Sequence, residues 1–88
     1  MTAKIWISGF VQGVGFRQFI KKEAVKLGLT GYVKNLPDRR VEALVQGSKE
    51  KIEKMIKHCN DGPFLSNVEN ITVDWEKVVD KLEDFVIL

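Results

Sequence analysis

The segment Gly9–Arg17 constrains the fold of this chain more than any other stretch, because it joins two segments of different periodicity. The residues before it, Lys4–Ser8, alternate as half-buried strands do. From Phe16 onward the apolar residues recur at the spacing of one helix face. Gly13 and Gly15 lie between the two runs and let the backbone turn tightly. The chain is therefore predicted to pass from a strand to a helix through a short glycine-containing loop.

Arg17 stands at the start of that helix, where a positive charge is unfavourable. The first helical turn presents unpaired N–H groups and a partial positive charge, which penalise a cation by roughly 0.3–1 kcal/mol. An anion bound in the loop would reverse the sign of that interaction. A Gly-x-Gly turn alone is more often purely structural, and this one matches neither the dinucleotide nor the nucleotide P-loop pattern. The segment Gly9–Arg17 is thus a candidate anion-binding loop with a guanidinium beside it.

The rest of the chain shows the periodicity of further strands and a second helix. Thr30–Asn35 and Val41–Gln46 flank a proline-containing turn and indicate a hairpin. Ser48 is a good N-cap for a second amphipathic helix. Residues 68–78 alternate again as a fourth strand, and the apolar residues 85–88 can add a short edge strand.

This βαββαβ order predicts an α+β fold, the ferredoxin-like sandwich. Its antiparallel sheet carries both helices on one face, because right-handed crossovers place them on the same side. With 88 residues, the chain is expected to form a single domain spanning 1–88. It has no apolar run of ~20 residues for a membrane span, and no signal peptide pattern at its start. A lone cysteine, Cys59, excludes an internal disulfide and favours a cytoplasmic setting.

Charge is distributed unevenly along the chain. Residues 1–60 carry 12 basic and 5 acidic residues, whereas residues 61–88 carry 2 basic and 7 acidic ones. Such asymmetry could steer anions or nucleic acid to the basic part. Two oppositely charged solvated faces are the more ordinary explanation. Charge is therefore only a secondary argument for function.

Two motifs give the chain a family resemblance. Gly9–Arg17 (GFVQGVGFR) resembles the signature of the acylphosphatases, and Gly31–Asp38 (GYVKNLPD) resembles the second signature of the same family. The resemblance extends over nearly the whole chain and includes the strand at residues 68–75. It implies the same ferredoxin-like fold and a metal-free hydrolase of small-molecule acyl phosphates that needs no cofactor.

The resemblance also implies roles for individual residues. Arg17 matches the phosphate-binding arginine, and Asn35 matches the asparagine that positions the attacking water. The phosphate loop corresponds to the backbone N–H groups of Gln12, Gly13, Val14, Gly15 and Phe16. A phosphate or sulfate ion is accordingly expected in this loop.

The residue types in the two motifs suit that chemistry. A phosphoryl transition state spreads negative charge over its oxygens, so positioning and electrostatic stabilisation dominate its catalysis. Neither motif contains a histidine or a glutamate, so no general acid or base is evident. A carboxylate, whose conjugate acid has a pKa near ~4, leaves without being protonated. The sequence therefore favours mixed anhydrides over phosphate esters.

Two residues depart from the family pattern. Arg39 occupies a turn position where the family commonly has glycine, and Phe10 stands where a basic or polar residue is frequent. A left-handed backbone at Arg39 would cost roughly 1 kcal/mol. Phe10 bears on substrate preference and leaves Arg17 and Asn35 intact.

Two other functions fit the same order of elements. An RNA-binding module of this topology displays aromatic residues on its third strand, but Val41–Gln46 has none and carries an acid. A domain kept for protein contacts, or a piece of a larger carbamoyl-transfer protein, is the other alternative. The intact pair Arg17 and Asn35 argues for activity, and a start at Met1 favours a stand-alone chain. We therefore expect a monomeric enzyme with no nucleic-acid or membrane partner.

Overall fold

The predicted order of elements is confirmed in the computed structural model, which describes residues 1–77 and 80–88. The elements are β1 (Thr2–Phe10), α1 (Phe16–Lys26), β2 (Thr30–Asn35), β3 (Val41–Gln46), α2 (Lys49–Asp61), β4 (Asn67–Glu76) and β5 (Phe85–Ile87). The fourth strand ends at Glu76, and Val78, where it was predicted to end, lies outside the described residues. Both α1 and α2 are too short and too polar to cross a membrane.

The five strands form one sheet in the order β4-β1-β3-β2-β5. The pairs among β1 to β4 are antiparallel, as predicted, and the hairpin of β2 and β3 pairs Thr30 with Gln46 and Asn35 with Val41. The short C-terminal strand β5 also forms, but it runs parallel to β2 and makes the sheet mixed. The strand β4 forms one edge of the sheet, and β5 forms the opposite edge, beside β2, which ends at Asn35.

One hydrophobic core lies between the sheet and the two helices. The helix residues at the predicted spacing are buried there, including Ile20 and Ala24 of α1 and Ile52, Met55 and Cys59 of α2. Burial of each large apolar side chain contributes about 1.5–3 kcal/mol. Burial also raises the pKa of the Cys59 thiol to about 12, which fits the predicted role of this residue as a small core side chain.

Two buried side chains hold the loop between β1 and α1. Val11 is 1% exposed and Phe16 is 2% exposed, and both belong to the core. Only the residues between them, 12–15, rise to the surface. The loop is therefore anchored at both ends, and its backbone groups are presented to solvent in a fixed position.

The turn between β2 and β3 contains a strained residue. The N–H of Arg39 donates to the carbonyl of Leu36 at 3.1 Å, and the N–H of Leu36 donates to the carbonyl of Arg40 at 2.8 Å. Arg39 has φ of 76°, and no other non-glycine residue in the described chain has a positive φ. The left-handed backbone considered for Arg39 from the sequence is therefore present.

We expect Arg39→Gly to leave the free energy of unfolding unchanged or to raise it by up to about 1 kcal/mol. The substitution relieves the left-handed strain, and the larger entropy of glycine in the unfolded chain offsets part of that gain. Urea denaturation measures the effect, with Arg40→Gly as the matched control. Arg40 has no strain to relieve and loses its ion pair with Asp38, so the control is expected to be less stable. A clearly lower midpoint for Arg39→Gly would contradict this account.

Candidate active site

A cavity of about 250 Å³ opens where the loop before α1, the end of β2 and the C-terminal strand meet. It brings together the two predicted catalytic side chains, Arg17 and Asn35, which are 18 residues apart in sequence. Three of the five predicted phosphate-loop residues line it as well: Gly13, Gly15 and Phe16. The remaining lining residues are Val11, Gln18 and Ile87.

Two glycines shape the loop through their backbone conformation. Gly13 and Gly15 have φ of 76° and 78°, in the left-handed region that other residues adopt only at a cost. A Cβ atom added at either position would meet no atom within 4 Å. The glycines are therefore required by the turn of the backbone, and the space in front of them is open.

The loop presents an array of unpaired donors. Gly15 is the N-cap of α1, and no side chain there accepts a hydrogen bond from the first helical N–H groups. The first turn also contains no acidic residue. The first helical bond runs from the N–H of Phe19 to the carbonyl of Gly15 at 3.0 Å. The N–H groups of residues 12–18 donate no hydrogen bond to any residue that the structure describes. These donors and the helix dipole favour an anion at this point.

Gln12 and Val14, the other two predicted loop residues, do not line the cavity. The side-chain Nε2 of Gln12 instead donates to the carbonyls of Leu36 at 2.9 Å and Arg40 at 3.0 Å. Its amide thereby ties the loop to the turn that follows Asn35. This structural role was not foreseen from the sequence, in which Gln12 was assigned to the loop only through its backbone.

The side chain of Arg17 contacts the residue that follows the C-terminal strand β5. Its Nη1 donates to the carbonyl of Leu88 at 3.4 Å, and the N–H of Leu88 donates to the carbonyl of Val33 at 2.9 Å. Within the described residues the guanidinium forms no ion pair with an aspartate or glutamate side chain. Most of its donors therefore remain available for a ligand. The sequence indicated β5 only as an added edge strand, and its contribution to the cavity depends on which edge it joins.

Asn35 is the last residue of β2 and lies opposite Val41 in the hairpin. Its side-chain amide forms no hydrogen bond with any described residue. The ordinary alternative for an asparagine before a turn, a bond to its own backbone, is thus not observed. The amide offers one acceptor and two donors to the cavity.

The open face of the sheet is occupied by its own polar contacts. Glu42 on β3 accepts hydrogen bonds from the Trp6 indole and the Tyr32 hydroxyl, both at 2.9 Å. Lys4 lies over the Trp6 ring and Lys34 over the Tyr32 ring. Burial alone would raise the pKa of Glu42, but the two hydrogen bonds and the lysines lower it. The aromatic rings of this face are therefore engaged with a carboxylate and two lysines of the protein itself.

Comparison with known proteins agrees with these features, which define a ferredoxin-like α+β protein with a candidate anion site at a strand–helix loop. The acylphosphatase family model matches residues 3–87. An acylphosphatase from Methanococcoides burtonii is 49% identical over 85 residues, which are 97% of this chain and 88% of that protein. The crystal structure of acylphosphatase from Bacillus subtilis superposes with a TM-score of 0.96 at 36% identity, covering 99% of this chain and 97% of that one.

The chain therefore belongs to the acylphosphatase family and is a hydrolase of acyl phosphates. It is also similar to part of a much longer protein. Full-length HypF, solved in a phosphate- and nucleotide-bound form, matches with a TM-score of 0.85 at 34% identity, over 99% of this chain and 11% of that chain.

Proposed function

We propose that the 250 Å³ cavity is the active site and that the chain hydrolyses acyl phosphates there without a metal ion. The N–H groups of residues 12–16 and the guanidinium of Arg17 hold the phosphate, and Asn35 holds the attacking water. The observation that carries this proposal is the meeting of Arg17, Asn35 and the unpaired loop N–H groups in one cavity.

The reaction follows from the charges that these groups stabilise. The water oxygen attacks phosphorus, and the bond between phosphorus and the acyl oxygen breaks in line with it. The carboxylate leaves with the bonding electrons, and the proton of the water passes to a phosphate oxygen. Arg17 offers a planar pair of donors to two phosphate oxygens, and the loop N–H groups stabilise the charge that spreads over them.

The leaving group determines which substrates react. Among the described residues, the cavity lining contains no carboxylate, imidazole or thiol, so no side chain there can protonate an alkoxide. A carboxylate needs no proton at neutral pH. Among the residues that the structure describes, no three histidine, cysteine, aspartate or glutamate side chains form a group that could hold a metal ion. Acyl phosphates are accordingly the substrate class, and phosphate monoesters, which have poorer leaving groups, should react far more slowly.

The setting of the enzyme is part of the proposal. Residues 1–88 act as a single acylphosphatase-like domain, as a monomer in the cytoplasm, and a phosphate or sulfate ion occupies the loop when no substrate is bound. The buried, unreactive thiol of Cys59 supports a protein that uses no disulfide. The unpaired N–H groups beside Arg17 support the bound ion.

The test of this mechanism is hydrolysis of benzoyl phosphate in ¹⁸O-labelled water with EDTA present. We expect the full rate in chelator, with the label in inorganic phosphate and none in benzoate, because water attacks phosphorus. Phenyl phosphate, which shares the aromatic ring but leaves as a phenoxide, is the control and should react far more slowly. A rate that falls in EDTA and returns with a divalent cation would overturn the metal-free mechanism. Label in benzoate would overturn the attack on phosphorus.

A further inference from the structure

The active-site cavity has one polar side chain in its lining that the proposed mechanism does not use. Among the described residues that line the cavity, Arg17, Gln18 and Asn35 have polar side chains. Arg17 is assigned to the phosphate and Asn35 to the attacking water. Gln18 lies directly after Arg17 in the first turn of α1, and it has no assigned role.

The side-chain amide of Gln18 is available to a ligand. Gln18 is exposed, and its amide forms no hydrogen bond with any residue that the structure describes. The nearby Gln12 differs, because its amide is already bonded to the carbonyls of Leu36 and Arg40. Gln18 therefore offers two donors and one acceptor to whatever occupies the cavity.

The cavity has room for more than the phosphate. Its volume of about 250 Å³ equals that of roughly eight water molecules at ~30 Å³ each. The phosphoryl group of an acyl phosphate and the carboxyl group attached to it have about seven non-hydrogen atoms, a number similar to those eight water oxygens. The carboxyl group of a bound substrate therefore fits inside the cavity, within the same space that Gln18 lines.

That carboxyl group becomes negatively charged during the reaction. In a loose transition state the bond from phosphorus to the leaving oxygen is largely broken, and its electron pair moves onto the carboxylate. No lining side chain can protonate this oxygen, since the described lining contains no carboxylic acid, imidazole or thiol. A neutral donor can still stabilise it, because a hydrogen bond strengthens as its acceptor gains charge.

We propose that Gln18 is a catalytic residue whose side-chain N–H donates a hydrogen bond to the leaving carboxylate. The inference rests on the proposed function, because the carboxyl group reaches Gln18 only when the loop and Arg17 hold the phosphate. Gln18 keeps its protons throughout, and the electron pair of the broken bond stays on the acyl oxygen. Water and leaving oxygen lie on opposite sides of phosphorus in an in-line displacement, and the two amides come from different elements, Asn35 from β2 and Gln18 from α1.

The dependence of the rate on the leaving group tests this role. Gln18→Met keeps an unbranched side chain of similar length and removes the donors. Its kcat/KM for benzoyl phosphate should fall about tenfold, the low end for a hydrogen bond to a charged group, because Gln18 is exposed to water. The loss should be larger for 4-methoxybenzoyl phosphate and smaller for 4-nitrobenzoyl phosphate, since the more basic carboxylate accepts the stronger hydrogen bond. A plot of log kcat/KM against the pKa of the leaving acid should therefore be steeper for the variant.

Controls assign the effect to the amide donor. Gln18→Glu keeps the size but places a negative charge beside the leaving carboxylate, so its kcat/KM should fall below that of Gln18→Met. Asn60→Met removes an exposed amide on α2, outside the cavity, and should keep the wild-type rate and slope. Inorganic phosphate should raise the melting temperature of Gln18→Met as much as that of the wild type, which also shows that the variant is folded.

Failure of this inference is distinguishable from failure of the proposed function. If Gln18→Met keeps the wild-type rates, or loses the same factor with all three substrates, Gln18 does not stabilise the leaving group, and the active site stands. If Gln18→Met no longer responds to phosphate, or if Gln18→Glu is as active as the wild type, the role assigned to Gln18 is also wrong. If the wild type hydrolyses none of the three substrates, the proposed function itself fails.

Discussion

Replacing Arg17 with alanine is expected to lower kcat/KM for benzoyl phosphate by roughly 10³–10⁵-fold, the range that a phosphate-binding arginine contributes to phosphoryl transfer. Among the described residues the guanidinium pairs with no aspartate or glutamate side chain, and it makes one long hydrogen bond, to the main-chain oxygen of Leu88 at 3.4 Å. Its donors are therefore free to follow the charge that develops on the phosphate oxygens. Arg17→Lys keeps the charge and loses the planar pair of donors, so it should fall between the wild type and Arg17→Ala.

The same substitution should not destabilise the protein. A cation in the first turn of α1 is unfavourable by roughly 0.3–1 kcal/mol, and no acidic residue in that turn compensates for it. Removing the cation relieves this penalty and raises the free energy of unfolding, whereas loss of the hydrogen bond to Leu88 lowers it by a similar or smaller amount. We expect the melting temperature of Arg17→Ala to stay within a few degrees of the wild type while activity disappears.

Binding of inorganic phosphate provides an independent measurement. A ligand that binds only the folded state raises the melting temperature, so phosphate should stabilise the wild type and have little effect on Arg17→Ala. If Arg17→Ala retained wild-type activity, or if phosphate stabilised both proteins equally, Arg17 would not be the phosphate-binding residue.

Local periodicity was sufficient to predict most of the fold. The bounds of β2 and β3 match the predicted Thr30–Asn35 and Val41–Gln46 because each strand alternates and is bounded by turn residues. The parallel pairing of β5 with β2 was not predictable in the same way. A strand of three residues is too short for its sequence pattern to specify a pairing register. The edge of the sheet that it joins depends on packing across the whole sheet.

The sequence also indicated part of what lines the candidate site, although the roles of those residues stay predictions. Motif resemblance identified Arg17 and Asn35, and the hairpin brings Asn35 to the cavity that Arg17 lines. The bonds from Gln12 to the carbonyls of Leu36 and Arg40 could not be foreseen, since they join backbone groups 24 and 28 residues away. Nor could the sequence place Phe10 and Arg39 in one cavity, because that requires the geometry of the turn.

Replacing Asn35 with alanine should lower kcat for benzoyl phosphate by about 10²-fold or more, the loss expected when a reacting group is misplaced by about 1 Å. The KM should change little, because in the proposed mechanism the loop and Arg17 still hold the phosphate. Asn35 makes no side-chain hydrogen bond with the described residues, so the stability of Asn35→Ala should differ from the wild type by less than about 0.5 kcal/mol.

The isosteric variant Asn35→Asp tests the role of the amide. It keeps the size and an acceptor oxygen but places a negative charge beside the phosphate, so both kcat and phosphate binding should fall. Asn35→Ala, by contrast, should keep the stabilisation by inorganic phosphate that Arg17→Ala loses.

That contrast separates the two residues by function. In the proposed mechanism Arg17 holds the anion in the ground state and in the transition state, so its loss affects binding and rate together, whereas the loss of a water-positioning amide affects the rate alone. A rise in KM for Asn35→Ala with kcat unchanged would show that Asn35 binds the substrate. The cavity would then still bind phosphate, but the position of the attacking water would have to be assigned to another group.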